Sequence, residues 1–277
     1  MRLLAIILGM GICLCNCQSG VEVARIAPDE LISVSSFLSP QDTLIRVNVL
    51  RGRALNTTAR VDSALIRDAQ VIITSHGQNI QLTYNEALRC YVTTPKSLPI
   101  KPSERYHLRV KVGSKLCTAS CQIPENPIQP TIQPQREEDH FIGILDWPST
   151  PLPRFFTLTY ELRDVIFKPQ LGSTRGPYTG FLTDNLFDRQ KQNTQALELR
   201  VFNAYKAERI SLRIVYQALD EPTFRYLKTY RDFDNWRSNT SGFIPNLREP
   251  QPVFSNIEGG VGIFGGYNQT VLNFKIK

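Results

Sequence analysis

The sequence predicts a mainly β protein, with an N-terminal immunoglobulin- or transthyretin-like sandwich followed by a second antiparallel β domain that carries one helix. Apolar and polar residues alternate in several short segments, such as Tyr106 to Val112, as they do in half-buried strands. The 277 residues include 18 Pro and 16 Gly, and both residue types mark turns. Apolar residues make up 42% and charged residues 21%, a globular composition that excludes a disordered chain.

The N-terminus is predicted to be a signal peptide over residues 1–16. Arg2 precedes an apolar run from Leu3 to Leu14, which is shorter than the roughly 20 residues that cross a bilayer. Three cysteines lie near the end of this run, and Cys17 best fits the acylation site of a bacterial lipoprotein. A bulky aliphatic residue directly precedes each of the other two, whereas Asn16 precedes Cys17.

We therefore expect lipid on Cys17, with fatty acyl chains such as palmitate, and attachment to the bacterial outer membrane. Several acyl chains on one cysteine anchor a protein durably, where a single chain binds only marginally. The alternative is an ordinary cleaved signal peptide, which would release the protein into the periplasm.

Composition divides the remaining chain into four predicted parts. Residues 17–40 are small and polar, and are predicted to be a lipidated tether. Residues 41–123 have the period of two and the size of a β-sandwich. Residues 124–139 contain four prolines and are predicted to be a semi-rigid linker. Residues 140–277 return to the strand pattern and form the second β domain.

The second domain contains one predicted helix, over about residues 221–236. Asp220 suits the N-cap position, and Glu221 and Pro222 suit the first turn. Aromatic and aliphatic residues then recur at helical spacing. We expect this stripe to pack into the core, with a ligand platform as the less favoured interpretation.

Three further cysteines allow one disulfide in an exported protein. Cys117 and Cys121 lie four residues apart on a predicted strand, a separation of about 13 Å that exceeds disulfide reach. Cys90 is therefore predicted to pair with either Cys117 or Cys121. The chain has three histidines, and none has ligand spacing to these cysteines, so no metal site is predicted.

A glycine-rich motif lies near the C-terminus, and its glycines are Gly259, Gly260, Gly262, Gly265 and Gly266. Part of it matches the pattern G-x-G-x-x-G of dinucleotide-binding proteins. That fingerprint requires a helix opening at the glycines and an acidic residue about 20 positions later. Only a short strand-like segment without acidic residues follows, so we interpret the motif as a structural glycine hairpin.

Sequence motifs for catalysis are absent, since the chain contains no G-x-S-x-G, H-E-x-x-H or Walker sequence. We therefore predict a protein that is not an enzyme and that uses no cofactor. The net charge is +7, and the basic residues are dispersed along the chain. This distribution favours a solvated basic surface or contact with anionic lipid over nucleic-acid binding.

The run from Phe254 to Tyr267 resembles the C-terminal signature of a Bacteroidota lipoprotein family that is known only as a domain of unknown function. Weaker similarity extends over most of the mature chain: Asp68 to Ile73, Tyr106 to Leu108, Ile123-Pro124, Phe181 to Phe187 and Tyr226-Leu227. The resemblance implies an N-terminal sandwich. It also implies partnership with a TonB-dependent outer-membrane receptor, because members of the family commonly accompany such receptors.

The function implied by this resemblance is that of an accessory or ligand-capture lipoprotein in nutrient uptake. The alternative is a structural or adhesive surface lipoprotein. Exposed aromatic residues are common interface anchors. The candidates for contact with a receptor are Trp147, Tyr178, Phe181 and Trp236, and core packing is the alternative role for each.

Overall fold

The computed structural model describes residues 31–52, 64–127, 131–136, 140–146, 155–167, 178–188, 196–202, 207–239 and 251–276. These residues form fourteen strands and a helix, which confirms the mainly β class. The elements are β1 Ile32–Leu38, β2 Ile45–Arg51, β3 Gln70–Ser75, β4 Gln78–Asn85, β5 Cys90–Thr93, β6 Arg105–Val112, β7 Lys115–Gln122, β8 Thr131–Arg136, β9 His140–Asp146, β10 Phe155–Phe167, β11 Tyr178–Asp188, β12 Ala196–Phe202, β13 Ala207–Leu219, α1 Glu221–Asn239 and β14 Val261–Ile276.

Strands β1 to β7 form the first module. All their mutual pairings are antiparallel, in the order β1-β2-β5-β4-β3-β6-β7. Alternation explains why these segments are strands, since β6 buries every second side chain, Tyr106, Leu108 and Val110. These side chains belong to one apolar cluster that also includes Ile257 and Phe264, from the C-terminal part of the chain.

Strands β8 to β14 form the second module, which has two sheets among the described residues. One sheet contains β12-β9-β8, and the other contains β11-β10-β13-β14. Within the larger sheet the rings of Phe156 and Tyr216 are both buried and meet edge to face, with centroids 5.4 Å apart.

The two modules share one strand order. When the seven strands of each module are numbered along the chain, the first, second and fifth are neighbours in that order. The fourth, third, sixth and seventh strands are also neighbours in that order. This is the arrangement of immunoglobulin-like sandwiches. The helix α1 occupies the connection between the sixth and seventh strands of the second module.

Strand β14 belongs to both modules. Its second half pairs antiparallel with β13 of the second module, from Tyr267 opposite Leu219 onwards. Its first half pairs parallel with β1 of the first module, where Ser33 lies opposite Val261. One continuous strand therefore joins the two modules, and the prediction that residues 140–277 form a separate domain needs correction.

Two other predicted boundaries are corrected. Residues 17–40 were predicted to be a lipidated tether, but β1 lies within them and buries Ile32, Val34 and Leu38. The linker over residues 124–139 contains β8, which pairs with β9 although Pro134 lies in it. Proline is tolerated there because β8 is an edge strand of its described sheet, where one side needs no ladder hydrogen bond.

Candidate functional site

The glycine motif does not form a hairpin, because Gly260, Gly262, Gly265 and Gly266 adjoin or lie in the straight run that pairs with β1. Gly262 has a φ of +123°, a backbone conformation that residues with a side chain rarely adopt. A Cβ atom there would collide with the carbonyl oxygen of Val34. These glycines serve the close packing of β14 on its neighbours and not a turn.

The other glycines allow close approach from three directions. A Cβ atom on Gly260 would lie 2.6 Å from the Ile32 carbonyl oxygen, and one on Gly266 would lie 2.7 Å from the Gln122 carbonyl oxygen. At Gly265 it would collide with the Thr223 hydroxyl of α1. The first half of β14 thus lies between β1, β7 and α1, where only glycine leaves enough space.

Residues 254–260, which we call the latch, hold this part of β14 in place. Asn256 accepts a hydrogen bond from the Phe264 amide at 2.9 Å and donates to the Phe264 carbonyl at 2.8 Å and to the Ser120 carbonyl at 3.2 Å. Ser255 Oγ accepts from the Gly262 amide at 3.0 Å. The latch also pairs with β7, because Glu258 and Thr118 exchange backbone hydrogen bonds. It therefore covers part of the β7 edge.

Asp220 connects the start of α1 to both neighbours of the helix. Its carboxylate accepts hydrogen bonds from the Thr223 amide at 2.9 Å and from the Gln122 amide at 3.3 Å. Its own amide donates to the Gly266 carbonyl. Burial raises the pKa of Asp220, and the hydrogen bonds to Thr223, Gly266 and Gln122 oppose that rise. The predicted N-cap and helix are confirmed, and the cap also joins the modules.

A second polar group joins the modules on β14. Asn268 is fully buried, and its amide donates to the Pro124 carbonyl at 3.1 Å and to Asn126 at 3.0 Å. Its Oδ1 accepts a hydrogen bond from Gln41 at 2.9 Å. A buried side chain with all these bonds made favours one arrangement of the segments it connects.

The cysteines form no disulfide in the structure, where Cys90, Cys117 and Cys121 are free thiols. The predicted pairing of Cys90 with Cys117 or Cys121 is therefore corrected. Cys90 lies in β5, which is separated from β7 by three strands in the sheet order. Burial raises the pKa of each thiol. The Cys117 thiol donates to the Gly259 carbonyl at 3.3 Å, which brings it against the glycine motif.

The predicted interface residues are not assembled into one surface. Trp147 lies outside the described residues, as does the predicted lipidation site Cys17. Tyr178 and Phe181 lie in β11, the outermost strand of the described large sheet. Trp236 lies near the end of α1, where its ring stacks on Phe233 with centroids 5.9 Å apart.

The helix α1 is packed at its start and exposed towards its end. Phe224 is buried and stacks on Phe155 with centroids 4.3 Å apart, and the Thr229 hydroxyl accepts from the Phe254 amide at 2.8 Å. Beyond Thr229 no described side chain of the helix is buried, and Tyr230 is 50% exposed. The predicted core role of the stripe therefore applies to the first half of α1 only.

Sequence reasoning missed the polar residues that connect the elements. Ser255 and Asn256 precede the glycines, and such residues commonly bond nearby backbone. That signal could have identified the latch. Nothing near Asn268 or Gln41 in the sequence indicates their mutual hydrogen bond, because the two residues lie in distant parts of the chain.

The described residues contain no group of three or more His, Cys, Asp or Glu side chains that could hold a metal ion. Among them, α1 is not long and apolar enough to cross a membrane, and no other helix is either.

Comparison with known proteins gives one family. The family described as Domain of unknown function (DUF4249) matches residues 21–272. No curated protein matches the sequence.

Among solved structures, the chain is similar to the chicken CNTN1 FN1-FN3 domains, at 12% identity and a TM-score of 0.34, over 70% of this chain and 63% of that one. It thus spans less than two thirds of that structure. It is also similar to the chicken interferon gamma receptor alpha chain, at 8% identity and a TM-score of 0.22, over 69% and 90% of the two chains. A two-domain fibronectin type III segment of chicken tenascin matches at 11% identity and a TM-score of 0.20, over 67% and 88%.

Proposed function

Because this chain belongs to the DUF4249 family of unknown function, we propose that it is a non-catalytic outer-membrane lipoprotein that assists a TonB-dependent β-barrel receptor in nutrient uptake. The sequence run ending in Cys17 supports a lipid anchor, which would restrict the protein to a membrane surface where barrels are available partners. The resemblance of residues 254–267 to a Bacteroidota lipoprotein signature supports the link to such receptors.

The observation that carries this proposal is the exposed second half of α1. Its N-terminal half is fixed by Asp220 and by the contacts of Phe224, so the second half extends from a firmly held base. It presents Tyr230, Trp236 and Arg231, and aromatic and arginine side chains are the commonest anchors of protein interfaces. A fixed helix that presents such residues suits binding to a large partner.

In-cell crosslinking tests the proposal. A photo-crosslinking residue in place of Tyr230 should capture a TonB-dependent barrel in intact cells, because this side chain would lie in the interface. The control replaces Leu88, which is 42% exposed and lies in the first module between β4 and β5. If neither position captures a barrel while Cys17-dependent membrane attachment is intact, the receptor role is wrong.

The adhesive alternative rests on a different observation, the two successive modules with one strand order. Tandem sandwiches are common in cell-surface proteins that bind other macromolecules. The same crosslinking experiment separates the two roles. Capture of soluble polymers or of other cells' surface proteins, without a barrel, would favour adhesion.

A further inference from the structure

A cleft of about 420 Å³ lies on the outer face of β1 and β2. Ser35 lies opposite Asn48 in the strand pairing, and Phe37 and Arg46 follow on the same face two residues further along their strands. Asp42, from the turn between the two strands, also lines the cleft and adds a carboxylate to it. The volume falls within the range of about 300–1,000 Å³ that is usual for small-molecule sites.

The polar side chains of the cleft can make further hydrogen bonds to a ligand. Arg46 is exposed, and its positive charge opposes the rise that burial causes in the pKa of Asp42. Among the described residues, Asn48 makes only a long hydrogen bond, 3.4 Å, to the Ser35 hydroxyl. Asp42 is held in place by the Ser39 amide at 2.8 Å and the Tyr267 hydroxyl at 3.3 Å. The cleft therefore offers donors and acceptors together, with one positive and one negative charge.

The cleft has one aromatic ring in its lining, that of Phe37. The Phe37 ring lies 6.1 Å from that of Tyr226 in α1, and Tyr226 stacks on Tyr230 at the same centroid separation. Gly265 explains this arrangement, since a Cβ atom there would lie 3.2 Å from the Phe37 ring and would collide with Thr223 of the helix. The absence of a side chain at residue 265 lets the helix approach β1, so that Tyr226 packs near the Phe37 ring and helps to fix its position.

We propose that this cleft binds a neutral oligosaccharide. Hydroxyl groups both donate and accept hydrogen bonds, as Arg46, Asn48 and Asp42 together require. The apolar face of a sugar ring would pack on Phe37, the aromatic residue of the cleft lining. The opposite charges of Arg46 and Asp42 balance each other, which favours a neutral ligand over an anionic one.

The pairing of β1 and β2 within the sheet argues against an extended peptide as the ligand of this cleft. Strand β1 lies between β14 and β2, and β2 lies between β1 and β5. Neither strand offers an edge to which a peptide strand could add. The inference adds a ligand class to the capture role proposed above. It rests on that role for its biological meaning, but not for the binding itself.

The experiment is a binding screen with the detergent-solubilised full-length protein. The labelled protein is applied to an array of neutral and acidic glycans, with an array of proline-rich and extended peptides beside it. We expect saturable binding to neutral glycans. Arg46→Ala should weaken it about tenfold or more, because it removes charged hydrogen bonds. Phe37→Leu keeps an apolar side chain and should also weaken it, because the aromatic ring is lost.

The control is Arg109→Ala, which removes an exposed arginine from β6, outside the cleft. It should leave glycan binding unchanged. The inference is overturned if no neutral glycan binds, if the Arg46 and Phe37 variants bind as the unchanged protein does, or if peptides bind in a manner that these variants abolish. Receptor crosslinking through Tyr230 is a separate readout. A barrel captured without glycan binding would remove this inference alone, and glycan binding without a barrel would remove only the receptor role.

Discussion

At the scale of single residues, the glycines of β14 have less space for a side chain than the local sequence indicates. Gly113 and Gly262 both have positive φ, +57° and +123°, but their surroundings differ. A Cβ atom on Gly113 would have nothing within 4 Å, whereas one on Gly262 would meet the backbone of Val34. The pair separates the cost of an unfavourable backbone conformation from the cost of a collision.

We predict that Gly262→Ala lowers the free energy of unfolding more than Gly113→Ala does. The control should cost about 1 kcal/mol from its backbone conformation alone. The Gly262 variant adds overpacking against β1, typically a further 1–3 kcal/mol or so. Urea unfolding measures both values. Equal losses at the two positions would contradict the close packing of β14 on β1.

Asp220 gives a prediction for pH dependence. Burial raises its pKa above the ordinary value near 3.8. The stability that this shift contributes is fully present below the ordinary pKa, and is lost as the pH rises through the raised folded-state pKa. Asp220→Asn retains a residue that caps helices well and removes the titration. The variant should therefore gain stability relative to the unchanged protein as the pH rises from about 4.

Denaturant unfolding at several pH values checks this expectation. The charge control is Asp232→Asn, which changes an exposed carboxylate on the same helix. If the stability difference between the Asp220 variant and the unchanged protein shows no trend with pH, the buried carboxylate does not titrate as the structure implies.

At the scale of elements, the sequence predicted what depends on neighbouring residues. The alternation in β6 and the cap and stripe of α1 are local signals, and both elements appear where they were expected. Strand β1 was missed because two of its three outward positions, Ser33 and Ser35, and one core position, Ser36, are serines, which gave the segment the composition of a tether. The glycine motif was interpreted as a hairpin because the feature that requires these glycines is the pairing with β1. That strand is distant in the sequence, and no local pattern reveals the pairing.

The latch supplies the prediction at this scale. Asn256→Asp removes both side-chain hydrogen bonds donated to the Phe264 and Ser120 carbonyls. Leaving such acceptors without partners costs about 1–3 kcal/mol where they are shielded from water. We expect faster hydrogen exchange at residues 261–266 and a lower free energy of unfolding. Asn79→Asp is the matched control, because Asn79 is exposed and its side-chain oxygen, which the substitution keeps, accepts a hydrogen bond from the Thr74 hydroxyl.

Exchange rates that stay unchanged at residues 261–266 in the Asn256 variant would show that the latch does not hold β14. Faster exchange confined to β14 would instead indicate local opening, since protection reports the stability of each segment separately.

At the scale of the whole molecule, several features join the modules besides the chain between them. They include the parallel pairing of β14 with β1, the pairing of the latch with β7, the hydrogen bond from the Gln122 amide to Asp220 and the contact of Asn268 with Pro124. Phe264 also fills the core of the first module from the strand that completes the second. A cut between the modules should therefore leave them associated, which differs from what the proline-rich composition suggested.

We predict that a protein cleaved at a protease site inserted after Ile128 elutes as one species in native size-exclusion chromatography. The fragments share a continuous sheet and apolar core, and no disulfide among the described cysteines is needed to hold them. In denaturant they should separate without a reducing agent. The same cleaved protein carrying Gly262→Ala should dissociate at a lower denaturant concentration, because the substitution weakens the pairing of β14 with β1. Separation of the unsubstituted fragments in native buffer would mean that the modules are held together by the linker alone.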